Sequence, residues 1–217
     1  MNREQLEKRI EDLSPWFHYF EIDEVVTKTK SIATEPLRYP EKLFKAQIDY
    51  WPYLMNKRCL DIGCNAGFFS VEMAKQGGVV RGVDICQDNN YDAIKQAKFV
   101  AKCLSLDIEY LMTDFMNLIE SQFYDLVLFL GVYYHLKQPD FAWLKLSSLI
   151  KKGGHVIVEG ATAKKSRRYD DEELYDGDPT NYFVGTPEYI LDSLTTNGFA
   201  IEEIIPYSRF MVKAIKR

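Results

Sequence analysis

From residue 57 onward, short apolar runs alternate with segments whose apolar residues recur at helical spacing. "KRCLDIG" reads as a strand ended by Gly63, and "AGFFSVEMAKQ" as a helix from about Ala66. "VVRGVDI" is a second strand after the Gly77-Gly78 turn, and "DNNYDAIKQAKFVAKCL" a second helix with Asp88 as N-cap. "IEYLMTD" and "YDLVLFLGV" are the next strands, the latter so apolar along its length that both of its faces should be covered. "DFAWLKLSSLI" is a helix, "GGHVIVEG" a fifth strand, and "TPEYILDSLTTNGF" a helix capped by Thr186 and stopped by Gly198. "AIEEIIPY" and "RFMVKAIK" lie close enough in sequence to form a hairpin. The pattern predicts an α/β fold, a doubly wound and mostly parallel sheet that ends in an antiparallel hairpin.

Residues 1–55 read as a helical and aromatic N-terminal cap on a domain spanning 56–217. "REQLEKRIEDL" sets Leu6, Ile10 and Leu13 at helical spacing before Pro15. "WFHYFEIDEVVTKTKSIATEP" reads as a wrapping loop with short turns, and "EKLFKAQIDYWPYL" resumes a helix up to Pro52. Residues 161–185 carry no clear period. Their position and irregularity predict a substrate lid, although the charge run inside them is equally a solvated loop.

The turn after the first strand is the default ligand site of a parallel sheet. In "DIGCNAG", Gly63 and Gly67 let the backbone turn sharply and approach a ligand closely, and a helix N-terminus follows. Neither the dinucleotide spacing G-x-G-x-x-G nor a P-loop is present. A loop that carries its own carboxylate, Asp61, suits a ligand with both an ammonium and a carboxylate, and S-adenosylmethionine (SAM) is such a ligand. Asp84 ends the second strand, where a carboxylate accepts from both ribose hydroxyls. Asp114, after the third strand, would take the adenine amino group with Phe115 beside the ring. Any one strand-end Asp is an ordinary turn or cap residue; three on successive strands form a pattern.

Composition narrows the class. The 217 residues are 47% hydrophobic and 14% aromatic, as in a packed protein, and the net charge is −5. There is no global basic field to draw in nucleic acid. Cys59, Cys64, Cys86 and Cys103 form no CxxC pair and no zinc-like spacing with His18, His135 or His155, so no metal is expected. The charged N-terminus and the lack of any run near the roughly 20 apolar residues of a membrane span predict a cytoplasmic protein without a membrane partner.

Through these residues the stretch 57–217 resembles the class I SAM-dependent methyltransferases. Their glycine loop reads acidic-x-G-x-G-x-G, and Asn65 here replaces the middle glycine. The resemblance implies a seven-stranded sheet and a cofactor set of Asp61, Gly63, Cys64, Asn65, Gly67, Asp84, Ile85, Thr113, Asp114, Phe115, Leu130, Gly131 and Tyr134. "LGVYYHLKQPD", "KKGGHVIVEG" and "NYFVGTPEYI" further resemble the family of the bacterial tRNA wobble-uridine carboxymethyltransferase. That narrower resemblance implies that Arg209 is the family's late arginine, which with a Tyr and a Lys holds a carboxylate on carboxy-SAM. Lys28, Lys30 and Lys42 do not align with that Lys, and the basic surface used for tRNA is reduced, so ordinary SAM is expected, with carboxy-SAM as the alternative.

Methyl transfer is an in-line displacement for which positioning supplies much of the rate, and the nucleophile also has to lose a proton. The candidates for that proton are His135, Tyr134, Glu159 and His18. Each has a plain alternative: His135 as a loop residue, His18 packed among aromatics, Glu159 in a buried ion pair. Tyr19, Tyr182 and Arg209 are substrate-binding candidates, and Trp16, Phe17, Phe20, Tyr133 and Phe183 would wall the pocket or fill the core. The first expectation is methyl transfer to an oxygen or nitrogen of a small-molecule acceptor such as a sugar or polysaccharide precursor. The second is a tRNA wobble-uridine enzyme using the "KKSRR" run at 164–168. A third is a nucleotide-binding module without catalysis.

Overall fold

The computed structural model describes residues 1–27, 39–85, 87–88, 91–169 and 177–217. The chain divides into two compact units, Met1–Phe115 and Met116–Arg217. Lys28, Lys30 and Cys86, named above, lie outside the described residues, as does the centre of the 161–185 segment.

In the first unit, helix α1 (Arg3–Asp12) opens with a capping box. Asn2 Oδ1 accepts from the Gln5 N–H at 2.9 Å, and Gln5 Oε1 accepts from the Asn2 N–H at 3.1 Å. Leu6 and Ile10 turn inward, and the Trp16 indole donates to the Ile10 carbonyl at 2.8 Å. The expected wrapping loop contains a small hairpin, Glu21–Ile22 against Val25–Val26, with Asp23 and Glu24 both in the left-handed region. Helix α2 (Tyr39–Gln47) ends before the expected stop at Pro52 and gives way to a 3-10 turn at Ile48–Tyr50. The reason is local: Trp51 is forced into extended backbone by Pro52, and its indole donates to Gln47 Oε1 at 2.9 Å.

Three parallel strands follow: β1 (Arg58–Ile62), β2 (Val79–Asp84) and β3 (Ile108–Met112), with α3 (Phe68–Lys75) and α4 (Ala93–Cys103) between them. Two boundaries differ from expectation. α3 starts at Phe68 with Gly67 as N-cap at φ +83°, not at Ala66. α4 starts at Ala93, where the Asp92 side chain accepts from the Lys95 N–H at 2.8 Å; Asp88 instead belongs to a short hairpin with Tyr91. Buried Gln96 on α4 donates to the carbonyls of Leu13 and Pro15 at 2.7 and 2.8 Å, which pins the N-terminal segment to α4.

The second unit holds β4 (Tyr124–Leu130), a 3-10 turn at Tyr133–His135, α5 (Pro139–Leu149), β5 (Ile150–Gly160), α6 (Pro187–Thr196), β6 (Phe199–Ile204) and β7 (Phe210–Lys216). β4 is buried from Leu126 to Phe129, as its unbroken apolar run requires. It runs parallel to β5, and β7 pairs antiparallel with both β5 and β6. β5 begins earlier than Gly153: Tyr124 pairs with Ile150 and Leu126 with His155, so the intervening residues bulge, helped by Gly153 at φ +77°. Thr186 caps α6 by accepting from the Tyr189 N–H at 3.1 Å. The large sheet is seven-stranded and mostly parallel with an antiparallel C-terminal pair; the first unit contributes β1-β2-β3 in that order and the second β6-β7-β5-β4.

Replacing Gln96 with Ala leaves two carbonyls without their buried donor. The variant should lose about 2 kcal/mol of stability in urea unfolding.

Candidate active site

The loop after β1 is closed on itself before any ligand is considered. The N–H groups of Gly63 and Cys64 both donate to the Val83 carbonyl, at 2.9 and 3.1 Å. Asn65, at φ +49°, donates its N–H to Asp84 Oδ2 at 2.7 Å, and its side-chain oxygen accepts from the Ala66 N–H at 2.8 Å. Gly67 donates to the Cys64 carbonyl at 2.8 Å. The N–H of Ala66 is therefore not offered to a ligand as its expected place at a helix start implied.

Gly67 is forced by packing as well as by its left-handed φ. A Cβ there would lie 2.3 Å from the Tyr110 hydroxyl, and one on Gly82 would lie 2.7 Å from the Tyr110 ring. Cys64 faces the same region as a core residue with Ile94, Ala97, Ala101 and Tyr110, and burial pushes its thiol well up. Of Cys64, only the backbone belongs to the loop's ligand-facing chemistry.

Asp61 is buried, and the Ser70 hydroxyl donates to its Oδ2 at 2.6 Å. Burial outweighs that bond and pushes the carboxyl up to about 7, with neighbouring Asp84 adding to the rise. Asp84 sits at the tip of β2, and Ile85 after it is 68% exposed, an apolar side chain left open beside a carboxylate. Thr113 donates its N–H to the Asp84 carbonyl at 3.0 Å and its hydroxyl to the Asp114 carbonyl at 3.4 Å, while Phe115 is buried. A half-exposed carboxylate followed by an open isoleucine fits the ribose and purine of an adenosine group. The left-handed glycines at 63 and 67 fit a close ligand approach beside them.

His18 is a core residue. Its ring lies edge-on to Phe20, Phe68 and Phe69, its Nδ1 has no hydrogen-bond partner among the described residues, and burial drives it down to about 3. A ring that weakly basic is a poor proton acceptor, which removes it from the candidate bases. Trp16 and Phe20 also pack in this core, Phe17 is exposed, and Tyr19 is half-buried between them.

In the second unit, Leu130 ends β4, Gly131 turns at φ +71°, and the Gly131 N–H donates to the Glu159 carbonyl at 2.9 Å. Glu159 is fully buried near the end of β5. Arg209 Nε stands 2.9 Å from its Oε1 in a charge contact that is not an aligned hydrogen bond, and the guanidinium lies 5.0 Å from the Tyr134 ring centroid. Burial raises Glu159 to about 7 against the pull of Arg209, and burial also raises the Tyr134 phenol despite the same arginine. His135 is half-buried beside Tyr134, with Nδ1 3.0 Å from both the carbonyl and the hydroxyl of Thr180.

The described ends of the 161–185 segment return to this turn. The Tyr182 N–H donates to the Tyr134 carbonyl at 2.9 Å, the Gly185 N–H to the Tyr133 hydroxyl at 3.2 Å, and Lys137 lies over the Tyr182 ring. Tyr133 and Phe183 are core residues rather than pocket wall, packed with Trp143 and Tyr189. In the basic run, Arg168 donates to the Lys137 carbonyl at 2.7 Å and lies 3.7 Å from Asp140. Sequence reading missed Ser70, Tyr110, Asp178 and Thr180, none of which carries a motif. Among the described residues no cluster of His, Cys, Asp and Glu could hold a metal ion, and no helix is long and apolar enough to cross a membrane.

Asp61 and Glu159 titrate higher in the fold than in the unfolded chain, so the folded protein binds more protons between about pH 4 and 7. Stability contributed by their neutral forms is full at low pH and is lost as pH rises through about 7. Urea unfolding across that window should show stability falling with pH, and Asp61→Asn should flatten the slope.

Comparison with known proteins agrees with this geometry. Residues 60–158 match a family described as a methyltransferase domain. The ubiquinone biosynthesis O-methyltransferase of Pelagibacter ubique is 34% identical over 113 residues, covering 52% of this chain and 45% of that protein. That of Vibrio vulnificus is 32% identical over 128 residues, covering 56% and 49%. The chain thus spans about half the length of the curated relatives it matches. A SAM-dependent methyltransferase structure from Mesorhizobium loti superposes with a TM-score of 0.64 at 15% identity, over 80% of this chain and 97% of that one. The Burkholderia thailandensis 1,6-didemethyltoxoflavin-N1-methyltransferase, solved with S-adenosylhomocysteine, gives 0.63 at 15%, over 82% and 77%. Residues 60–158 thus match a methyltransferase domain, and the chain shares the fold of these SAM-dependent methyltransferase structures.

Proposed function

We propose that the protein transfers a methyl group from SAM to a hydroxyl oxygen of a small molecule, with His135 as the base. What carries the reading is the methyltransferase-domain match together with a β2 tip that ends in Asp84 and an exposed Ile85. In this reading Asp84 accepts from the ribose hydroxyls, Ile85 packs on the purine, and Asp61 and Asp114 hold the amino groups. When bound, SAM supplies an electrophilic methyl carbon on a sulfonium sulfur. The relatives named O-methyltransferases support oxygen as the acceptor.

An uncharged hydroxyl is a weak nucleophile until its proton is taken. Among the four candidates His18 is buried in the core, Glu159 is paired with Arg209, and the Tyr134 phenol is raised by burial. His135 remains, half-buried and held by Thr180. Arg209 already faces a protein carboxylate, which favours ordinary SAM over a donor bearing a carboxylate of its own. Arg168 of the 164–168 run is held by its own unit, which favours a small acceptor over tRNA.

Calorimetry should show SAM binding and no NAD binding. Asp84→Ala should weaken SAM by about 1–3 kcal/mol, the cost of leaving hydroxyls unpaired in a closed site; NAD binding without SAM would sink the assignment. Against a panel of phenolic and sugar hydroxyls, His135→Gln should lower kcat about 10²- to 10⁴-fold while SAM affinity holds. Undiminished turnover in His135→Gln would remove it as the base.

A further inference from the structure

We infer that Asp178 and Thr180 are positioning residues that fix the proton of the His135 ring on Nδ1. The inference rests on His135 being the base proposed above. Asp178 Oδ1 accepts twice from Thr180, from its N–H at 2.8 Å and from its hydroxyl at 2.7 Å. The hydroxyl proton of Thr180 is thereby committed, and its oxygen presents only lone pairs to His135 Nδ1 at 3.0 Å. The Thr180 carbonyl, which has no proton to give, lies at 3.0 Å from the same nitrogen. Facing two acceptors and no donor, Nδ1 has to carry the hydrogen, and the neutral ring keeps its lone pair on Nε2.

This arrangement works against the intrinsic bias of imidazole, whose free neutral form favours the proton on Nε2. A ring in that form has no lone pair at Nε2 with which to take a proton. Asp178 completes the device with its charge. Partial burial opposes its ionisation, but the two Thr180 hydrogen bonds and His135 outweigh it and hold the carboxyl below its ordinary value. The Tyr134 phenol ring, with ring centroids 4.4 Å apart, and the Thr180–Asp178 pair face the ring.

The acceptor O–H proton passes to Nε2 and makes an imidazolium whose Nδ1–H is still bound by Thr180. The oxygen electron pair forms the new C–O bond as the C–S bond breaks, and that pair returns to sulfur. The proton leaves Nε2 to water afterwards. Nothing beyond SAM and the hydroxyl acceptor is consumed.

The test is nitrogen-15 NMR of the His135 ring in the full-length protein, read at a pH where the ring is neutral. Wild type should show a protonated-type shift at Nδ1 and a lone-pair-type shift at Nε2. Thr180→Val and Asp178→Ala, which leave the Thr180 carbonyl as the one acceptor still committed to Nδ1, should move part of the proton to Nε2, and Thr180→Ser should keep the wild-type pattern. With any hydroxyl acceptor that is turned over, Thr180→Val should lower kcat about tenfold or more at unchanged KM, with Thr180→Ser near wild type. A wild-type ring protonated on Nε2, or spectra of Thr180→Val and Asp178→Ala identical to wild type, would overturn the inference. The spectra need no acceptor, so this outcome is separable from that of His135→Gln in the turnover assay.

Discussion

The first unit is organised around the side chain of Tyr110. Its phenol is wedged where Cβ atoms on Gly67 and Gly82 would stand, at 2.3 and 2.7 Å from its atoms. Gly67 is thus tied to a strand-borne tyrosine as firmly as to any bound molecule. The same tyrosine packs with Cys64 and α4, so loop, β2, β3 and helix share one core contact. Volume changes in such a core are felt at once, because interiors are packed to crystal-like density.

Above that contact, the polar groups are arranged by local chemistry rather than by net charge. Asp61 is matched by the Ser70 hydroxyl in the first turn of α3, and Asp84 by the loop's own Asn65 N–H. In the second unit, Glu159, Arg209 and Tyr134 come from three separate stretches of chain and meet as an ion pair with a stacked ring. Leaving either charge of such a pair alone inside the fold costs more than the pair itself contributes. The two anionic centres on β1 and β5 are therefore held in different ways, one by a hydroxyl and one by a guanidinium.

Much of this was legible in the residues. The alternation of apolar runs and helical periods located every strand of the large sheet, because burial on both faces leaves unbroken apolar stretches such as Leu126–Phe129. The boundaries were less readable. Asp88 and Asp92 both resemble caps, and only the pairing of 87–88 with 91–92 decides between them. Trp51 ends α2 through a side-chain bond to Gln47 that no periodicity reveals. At the site, the strand-tip carboxylates stood out because their positions are set by strand ends. Tyr110, Ser70 and the Asp178–Thr180 pair did not, since each acts through a partner fixed only by the folded chain. His18 looked chemical in sequence and is packing, because its neighbours Phe68 and Phe69 arrive from elsewhere.

The closed hydrogen-bonding of residues 63–67 has a further consequence. Each of its five N–H groups is already bonded inside the unit, to Val83, Asp84, Asn65 or Cys64. A segment so tied has little backbone freedom left to surrender when a molecule docks against it. Ordering entropy is then a small part of the affinity there, and different ligands are discriminated by shape and charge at a preorganised rim.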